Sequence, residues 1–181
     1  MNVIIVTGSV GSGKTTLSKR LAKKLGLEYV DVKRLIDISD VSSGYDKKMD
    51  CKIVDVKKLN KVLINLIQCY ENPSRKHSLN KKILKIKNNK TIKGIIIDSH
   101  LSHYLPARYV DLCVVTKCEL KTLEKRLKKR KYSKDKIREN LDCEIFDICL
   151  NEAKEKGHSI LVIHSTQPIN ISNISLNLKW N

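Results

Sequence analysis

Eight consecutive residues, Gly8-Ser9-Val10-Gly11-Ser12-Gly13-Lys14-Thr15, fit the pattern G-x-x-x-x-G-K-[ST]. The chemistry this spacing allows is the holding of a triphosphate. Glycines let successive backbone N–H groups turn toward one anion, and a helix starting at the end of the loop adds its partial positive charge. Lys14 then reaches the β and γ phosphates, and Thr15 offers a hydroxyl to Mg²⁺. Farther along, Ile95-Ile96-Ile97-Asp98 has the form of a second buried strand ending in a carboxylate. Such a carboxylate sits beside the loop and holds Mg²⁺ directly or through water, although an aspartate that merely caps a strand end looks the same. His100 is two residues on and can face the same crevice, where an imidazole polarises a water or a phosphate; a lone histidine is more often structural. Arg126 and Arg130 lie one helical turn apart in a segment, 121–138, with ten basic and two acidic residues. Two arginines on one face can clamp a transferring phosphoryl group or form part of a solvated surface.

These groups need elements to position them. Asn2 to Thr7 is a continuous apolar, β-branched run, as expected for a strand buried on both faces of a parallel sheet. Leu17, Leu21 and Leu25 recur at helical spacing up to Gly26. Glu28 to Val32, Gly94 to Asp98, Asp111 to Thr116 and Ser159 to His164 read as four further strands. A helix capped by Asp55 buries Leu59, Val62, Leu63, Leu66, Ile67 and Tyr70 and ends before Asn72-Pro73. Residues 33–56 lack a clean period and predict a short helix followed by a mobile loop. A helix near 119–130 has Leu120, Leu123 and Leu127 inward, and a long one near 134–156 has Ile137, Leu141, Ile145 and Ile148 inward. A last helix is expected near 171–179, with Ile171, Ile174 and Leu178. Strands alternating with helices give an α/β doubly wound fold, here a five-stranded parallel sheet with helices on both faces.

The 181 residues suffice for one core, so one domain with insertions is expected. No apolar run approaches the length of a membrane span. Thirty-six Lys and Arg against 19 Asp and Glu leave a net charge of +17. Such a field attracts polyanions such as RNA, and it also suits a lysine-rich surface kept for solubility. Residues 75–93 alone carry eight basic residues and no acid, and form the clearest insertion. The six cysteines show no C-x-x-C pair and no histidine at zinc spacing, which points to reduced, mostly buried thiols in a cytoplasmic protein. The absence of N-K-x-D argues against a small GTPase, and the chain is too short for motor or AAA-type ATPases with full accessory elements. A small nucleoside or nucleotide kinase and a compact ATPase remain.

Four segments in order resemble the adenylate kinase isoenzyme 6 family and its archaeal members. They are the glycine loop; Gly44-Tyr45-Asp46 with Ile53-Val54-Asp55; Asp98-Ser99-His100-Leu101-Ser102-His103-Tyr104-Leu105-Pro106; and Arg126 through Phe146, with R-L-x-x-R-x-Y and Cys143-Glu144-Ile145-Phe146. The resemblance spans nearly the whole chain except the 73–93 insertion. It implies a P-loop fold of the nucleoside monophosphate kinase type, with an NMP-binding arm about 31–54 and a lid about 129–139. It also implies a broad-specificity kinase turning ATP and AMP into two ADP, with ATP hydrolysis, and work on small ribosomal subunit maturation beside a ribosomal protein and pre-ribosomal RNA. By that resemblance Gly11, Gly13, Lys14, Thr15 and Thr16 hold ATP phosphates, Thr15 and Asp98 the Mg²⁺ that accompanies ATP, Asp98 and His100 form the D-x-H motif, and Arg130 belongs to the lid. The chain departs from the family at Lys131, where glycine is usual. It also has no clear arginine for the AMP phosphate, Arg34 and Lys48 being the candidates. An RNA- and protein-binding assembly ATPase with little AMP kinase activity, or a kinase with another small acceptor, are the alternatives.

Overall fold

Every residue of β1 (Asn2–Thr7) and of β5 (Gly94–Asp98) is buried, as their unbroken apolar runs require of strands covered on both sides. The computed structural model describes residues 1–72, 92–168 and residue 174. It orders the parallel sheet β2-β5-β1-β6-β7, with β2 (Glu28–Asp31), β6 (Leu112–Lys117) and β7 (Ile160–His164) joining the two buried strands. The side chains of β1 alternate between two cores. Val3 and Ile5 pack with Leu59, Leu63 and Ile67 of α3 (Val56–Glu71), whereas Ile4 and Val6 pack with Leu17 and Leu21 of α1 (Lys14–Leu25) and with Ile174. Helices therefore cover both faces, and the fold is the five-stranded α/β P-loop fold that the pattern predicts. The remainder of the helix expected near 171–179 lies outside the described residues, as does nearly all of the 73–93 insertion.

Residues 33–56 depart from expectation. The short helix is there, α2 (Val32–Ile38), capped by Asp31, whose carboxylate accepts from the amides of Lys33 and Arg34. In place of a loop, an antiparallel hairpin follows, β3 (Ser42–Asp46) on β4 (Cys51–Val54), with Gly44 opposite Ile53 and Tyr45 opposite Lys52. Most of its side chains face solvent. With no buried face to serve, its sequence shows no alternation.

The long helix expected near 134–156 is two helices, α5 (Lys134–Ile145) and α6 (Ile148–Glu155), separated at Phe146 and Asp147. Asp147 takes a left-handed conformation with φ 53°, and Lys117 bridges the break by donating to the Glu144 carbonyl at 2.8 Å and to the Asp147 carboxylate. The break rotates the apolar stripe. Ile145 and Ile148, expected inward, are 53% and 41% exposed, while Glu144, next to Ile145, is buried.

A second left-handed residue closes α4 (Leu120–Lys129). Lys131 has φ 57° and its amide bonds the Lys128 carbonyl at 2.9 Å. This is the usual position for a C-terminal glycine, and a side chain there costs about 1 kcal/mol. Lys131→Gly is expected to raise the denaturant midpoint by an amount equivalent to up to about 1 kcal/mol, because glycine removes that strain while adding some unfolded-state freedom; a lowered midpoint would argue against it.

Candidate active site

The loop between β1 and α1 turns on glycines with positive φ, 135° at Gly8, 96° at Gly11 and 107° at Gly13. At Gly8 a Cβ would stand 2.4 Å from the Thr116 carbonyl oxygen, so both space and conformation exclude a side chain there. Gly13 caps α1 with no side-chain hydrogen bond, and the first turn holds no acid. The N-terminal amides of α1 are thus left to an anion from outside the helix. Thr15 and Thr16 stand exposed on that turn. Lys14 bends back over the loop and donates to the carbonyls of Gly8 and Ser9, both at 2.9 Å. Burial lowers its proton affinity, with Asp98 opposing and Arg130 adding to the effect.

Strand register brings Asp98 to this loop. Val6 lies opposite Asp98 across β1 and β5, and the Ser99 amide bonds the Val6 carbonyl at 3.2 Å. Asp98 is 6% exposed, and one carboxylate oxygen accepts from the Tyr29 hydroxyl at 2.9 Å. A buried carboxylate, an exposed Thr15 hydroxyl and a helix N-terminus without an acid form a hard-oxygen and amide donor set, which suits Mg²⁺ with a phosphate chain. His100 is exposed just after β5, near enough to Lys14 and His103 to feel their charges. Partial burial, then the charges of Lys14 and His103, pull its pKa down to about 4, so the imidazole is neutral at pH 7. Arg130 is exposed at the end of α4, and its charge reaches Lys14.

Arg126, one turn earlier, does a different job from Arg130. Its guanidinium is turned onto the loop, donating to the Gly11 carbonyl at 3.1 Å, the Ser165 hydroxyl at 3.2 Å and Cys118 Sγ at 3.4 Å. The two arginines do not form one clamp. The candidates for an AMP phosphate are also separated. Arg34 is exposed on α2, and Lys48 pairs with Asp135 of α5 at 3.1 Å.

Several residues at this site lie in the quoted segments but have no role assigned from the sequence. Glu144 is 5% exposed; it accepts from the Ser9 hydroxyl of the loop and, at 2.7 Å, from the Cys118 amide, with Lys117 at 3.4 Å. Behind the loop, His103 bonds Thr7 through Nδ1 at 2.7 Å and Glu152 through Nε2 at 2.8 Å, and Tyr104 donates to the other Glu152 oxygen at 2.7 Å. Burial lowers the proton affinity of His103 against the pull of Glu152. The neutral ring therefore donates from Nε2 and accepts at Nδ1.

Glu144→Ala is expected to cost about 2 kcal/mol, since Ser9 and the Cys118 amide lose a buried acceptor, and Gln should restore part of it; a denaturation midpoint unchanged in the Ala variant would exclude the anchoring role. For His100 the sign follows from a folded pKa of about 4 against 6.5. Between those values the unfolded chain binds the proton and the folded chain does not, so stability falls as pH drops through the window. His100→Gln should flatten the fall in melting temperature over that range, and a slope equal to that of the unaltered protein would contradict a neutral ring.

The family of AAA domains matches residues 4–147, from the first strand to the break after α5. The chain is 31% identical over 176 residues to the adenylate kinase isoenzyme 6 homolog of Caenorhabditis elegans, with 97% of this chain and 85% of that protein covered. A protein of Pyrococcus furiosus named "Putative adenylate kinase" is 34% identical over 178 residues, with 97% and 83% covered. Among solved structures, an unliganded sugar kinase from a Janibacter species superposes with a TM-score of 0.55 at 18% identity, covering 93% of this chain and 87% of that one. At that identity the likeness concerns the fold alone. No helix among the described residues is long and apolar enough to cross a membrane. The glycine loop, the Asp98 to Pro106 segment and the match along almost the full chain agree, and the chain belongs to the adenylate kinase isoenzyme 6 family.

Proposed function

We propose that the chain is a broad-specificity nucleoside monophosphate kinase that moves the γ phosphoryl group of ATP to AMP, giving two ADP, with ATP hydrolysis as an accompanying reaction. The observation that carries this reading is the uncapped N-terminus of α1, with Lys14 held at Gly8 and Ser9 beside the buried Asp98. A phosphate oxygen of AMP attacks the γ phosphorus in line, so the reaction needs no covalent intermediate and no strong base. Amides of Gly11, Gly13, Lys14, Thr15 and Thr16 bind the phosphate chain. Lys14 exchanges its two carbonyl partners for phosphate oxygens, so binding replaces hydrogen bonds it already makes. Thr15 and Asp98 would hold Mg²⁺, which supplies charge neutralisation across the phosphate oxygens when bound. Arg130, on the 129–139 lid, adds positive charge to the transferred group as the lid closes, and the 31–54 arm carries the acceptor nucleotide. Neutral His100 orients a water for the hydrolytic reaction. Positioning and electrostatics supply the rate.

A second reading is favoured by one observation, the +17 charge. In it the chain assists small-subunit maturation in the cytoplasm by binding pre-ribosomal RNA and a ribosomal protein, and ATP turnover resets the complex. Phosphate contacts would dominate its RNA binding, because aromatic residues make up only 4% of the chain.

The test is the purified protein with ATP and Mg²⁺, with and without AMP, following ADP and inorganic phosphate together. ADP formed without phosphate, and only when AMP is present, is the expected kinase result. Phosphate release indifferent to AMP would replace the first reading with the second. Lys14→Ala is expected to lower either activity by at least about a hundredfold, the scale of losing one charge-stabilising donor; full activity in that variant would overturn the phosphate assignment itself.

A further inference from the structure

Two thiols face each other across the break between α5 and α6. Cys143 Sγ and Cys149 Sγ are 3.9 Å apart; Cys143 is half-buried, and Cys149 is 8% exposed. Between them the chain passes Glu144, which anchors Ser9 of the phosphate loop, and the left-handed Asp147, held by Lys117. We infer that Cys143 and Cys149 form a peroxide-oxidisable dithiol site, and that closing its disulfide loosens the hold of Glu144 on the phosphate loop.

The roles of the two sulfurs follow from their surroundings. The two sulfurs share one hydrogen-bonding contact, and proton affinity is lowered at Cys143 and raised at Cys149, where burial adds to the rise. Cys143 is both the better thiolate and the more reachable one. Its sulfur attacks one oxygen of hydrogen peroxide, the O–O bond breaks, and the hydroxide released takes up the thiol proton to leave as water. The product is a sulfenic acid at Cys143. The Cys149 sulfur then attacks the Cys143 sulfur, the S–S bond forms, and the sulfenic oxygen leaves as a second water with the Cys149 proton. Each sulfur gives up one electron, and the peroxide is reduced to two waters.

A disulfide needs its sulfurs at about 2.05 Å, so the short segment across the break must tighten. That segment includes Glu144, whose carboxylate reaches Ser9 and the Cys118 amide from a fixed backbone position. Tightening draws it from those partners. The site acts through structure and does not depend on which acceptor nucleotide the chain uses.

The experiment treats the full-length protein with mild hydrogen peroxide, digests it with trypsin, and measures backbone hydrogen exchange. No lysine or arginine separates the two cysteines, so the bond appears as one peptide lighter by two hydrogens and resistant to alkylation until reduced. Exchange at the Ser12 amide, which bonds the Ser9 carbonyl, and at the Cys118 amide, which bonds Glu144, is expected to quicken about tenfold on oxidation and to return with dithiothreitol. Cys149→Ser should remove both effects, and Cys51→Ser, which alters an exposed thiol outside the pair, should leave both intact. Failure of the linked peptide to form, or a linked peptide with unchanged exchange at those two amides, overturns the inference. Neither readout involves nucleotide, so failure of the proposed kinase reaction would be seen separately.

Discussion

A loop that offers its backbone amides to an anion cannot also use them to hold itself in place. The arrangement around Gly8 to Thr15 follows from that constraint. The Ser12 amide closes one turn onto the Ser9 carbonyl at 3.1 Å, and the remaining anchors use carbonyls and side chains. Lys14 takes the Gly8 and Ser9 carbonyls, Arg126 the Gly11 carbonyl, Glu144 the Ser9 hydroxyl, and Thr116 the Ser12 hydroxyl at 2.5 Å. The loop is gripped through its carbonyls and hydroxyls. A preorganised cradle costs little reorganisation when phosphate arrives, and that is the main source of its electrostatic strength.

The grip also explains why charged groups are buried so near a site that must accept more charge. Glu144 is buried beside Lys117, and Glu152, partly exposed, meets His103 and Tyr104. Each carboxylate is hydrogen-bonded by more than one donor, as the buried Glu144 in particular requires. They lie behind the loop, where their negative charge stabilises the donors without occupying the amide side. His103 remains neutral there because burial outweighs Glu152. The Thr7 hydroxyl at the end of β1 is therefore linked through the neutral His103 ring to Glu152.

How much of this could be read from the sequence depends on what each residue has to satisfy. The five strands were legible because burial on two faces leaves only apolar residues, and the loop because its glycines obey a steric rule visible at Gly8. The β3–β4 hairpin was not, since strands such as Ser42–Asp46 with solvent around them carry no period. The break at Asp147 was hidden because neither glycine nor proline marks it, and Ile145 and Ile148 continue the apparent stripe while pointing outward. Glu144 lies in the Cys143 to Phe146 motif, yet its motif position gives no sign that a carboxylate is the buried member and the isoleucine beside it the exposed one. Its signal is tertiary: it exists only where α5 meets the loop and β6. Asp98 and His100 are singled out in the sequence by their place after an apolar strand, and the surroundings that lower the His100 pKa come from the fold.

The hairpin turn and the start of α5 are joined across solvent. Lys48 pairs with Asp135, and Lys136 donates to the carbonyls of Met49 and Asp50 at 2.5 and 3.1 Å while sitting 4.5 Å from the Tyr132 ring. Exposed ion pairs of this kind are worth about 1 kcal/mol or less and weaken with salt. The Lys48–Asp135 pair by itself therefore favours the joining of these two segments by at most roughly a factor of five, and that is the share of the contact which ionic strength can remove.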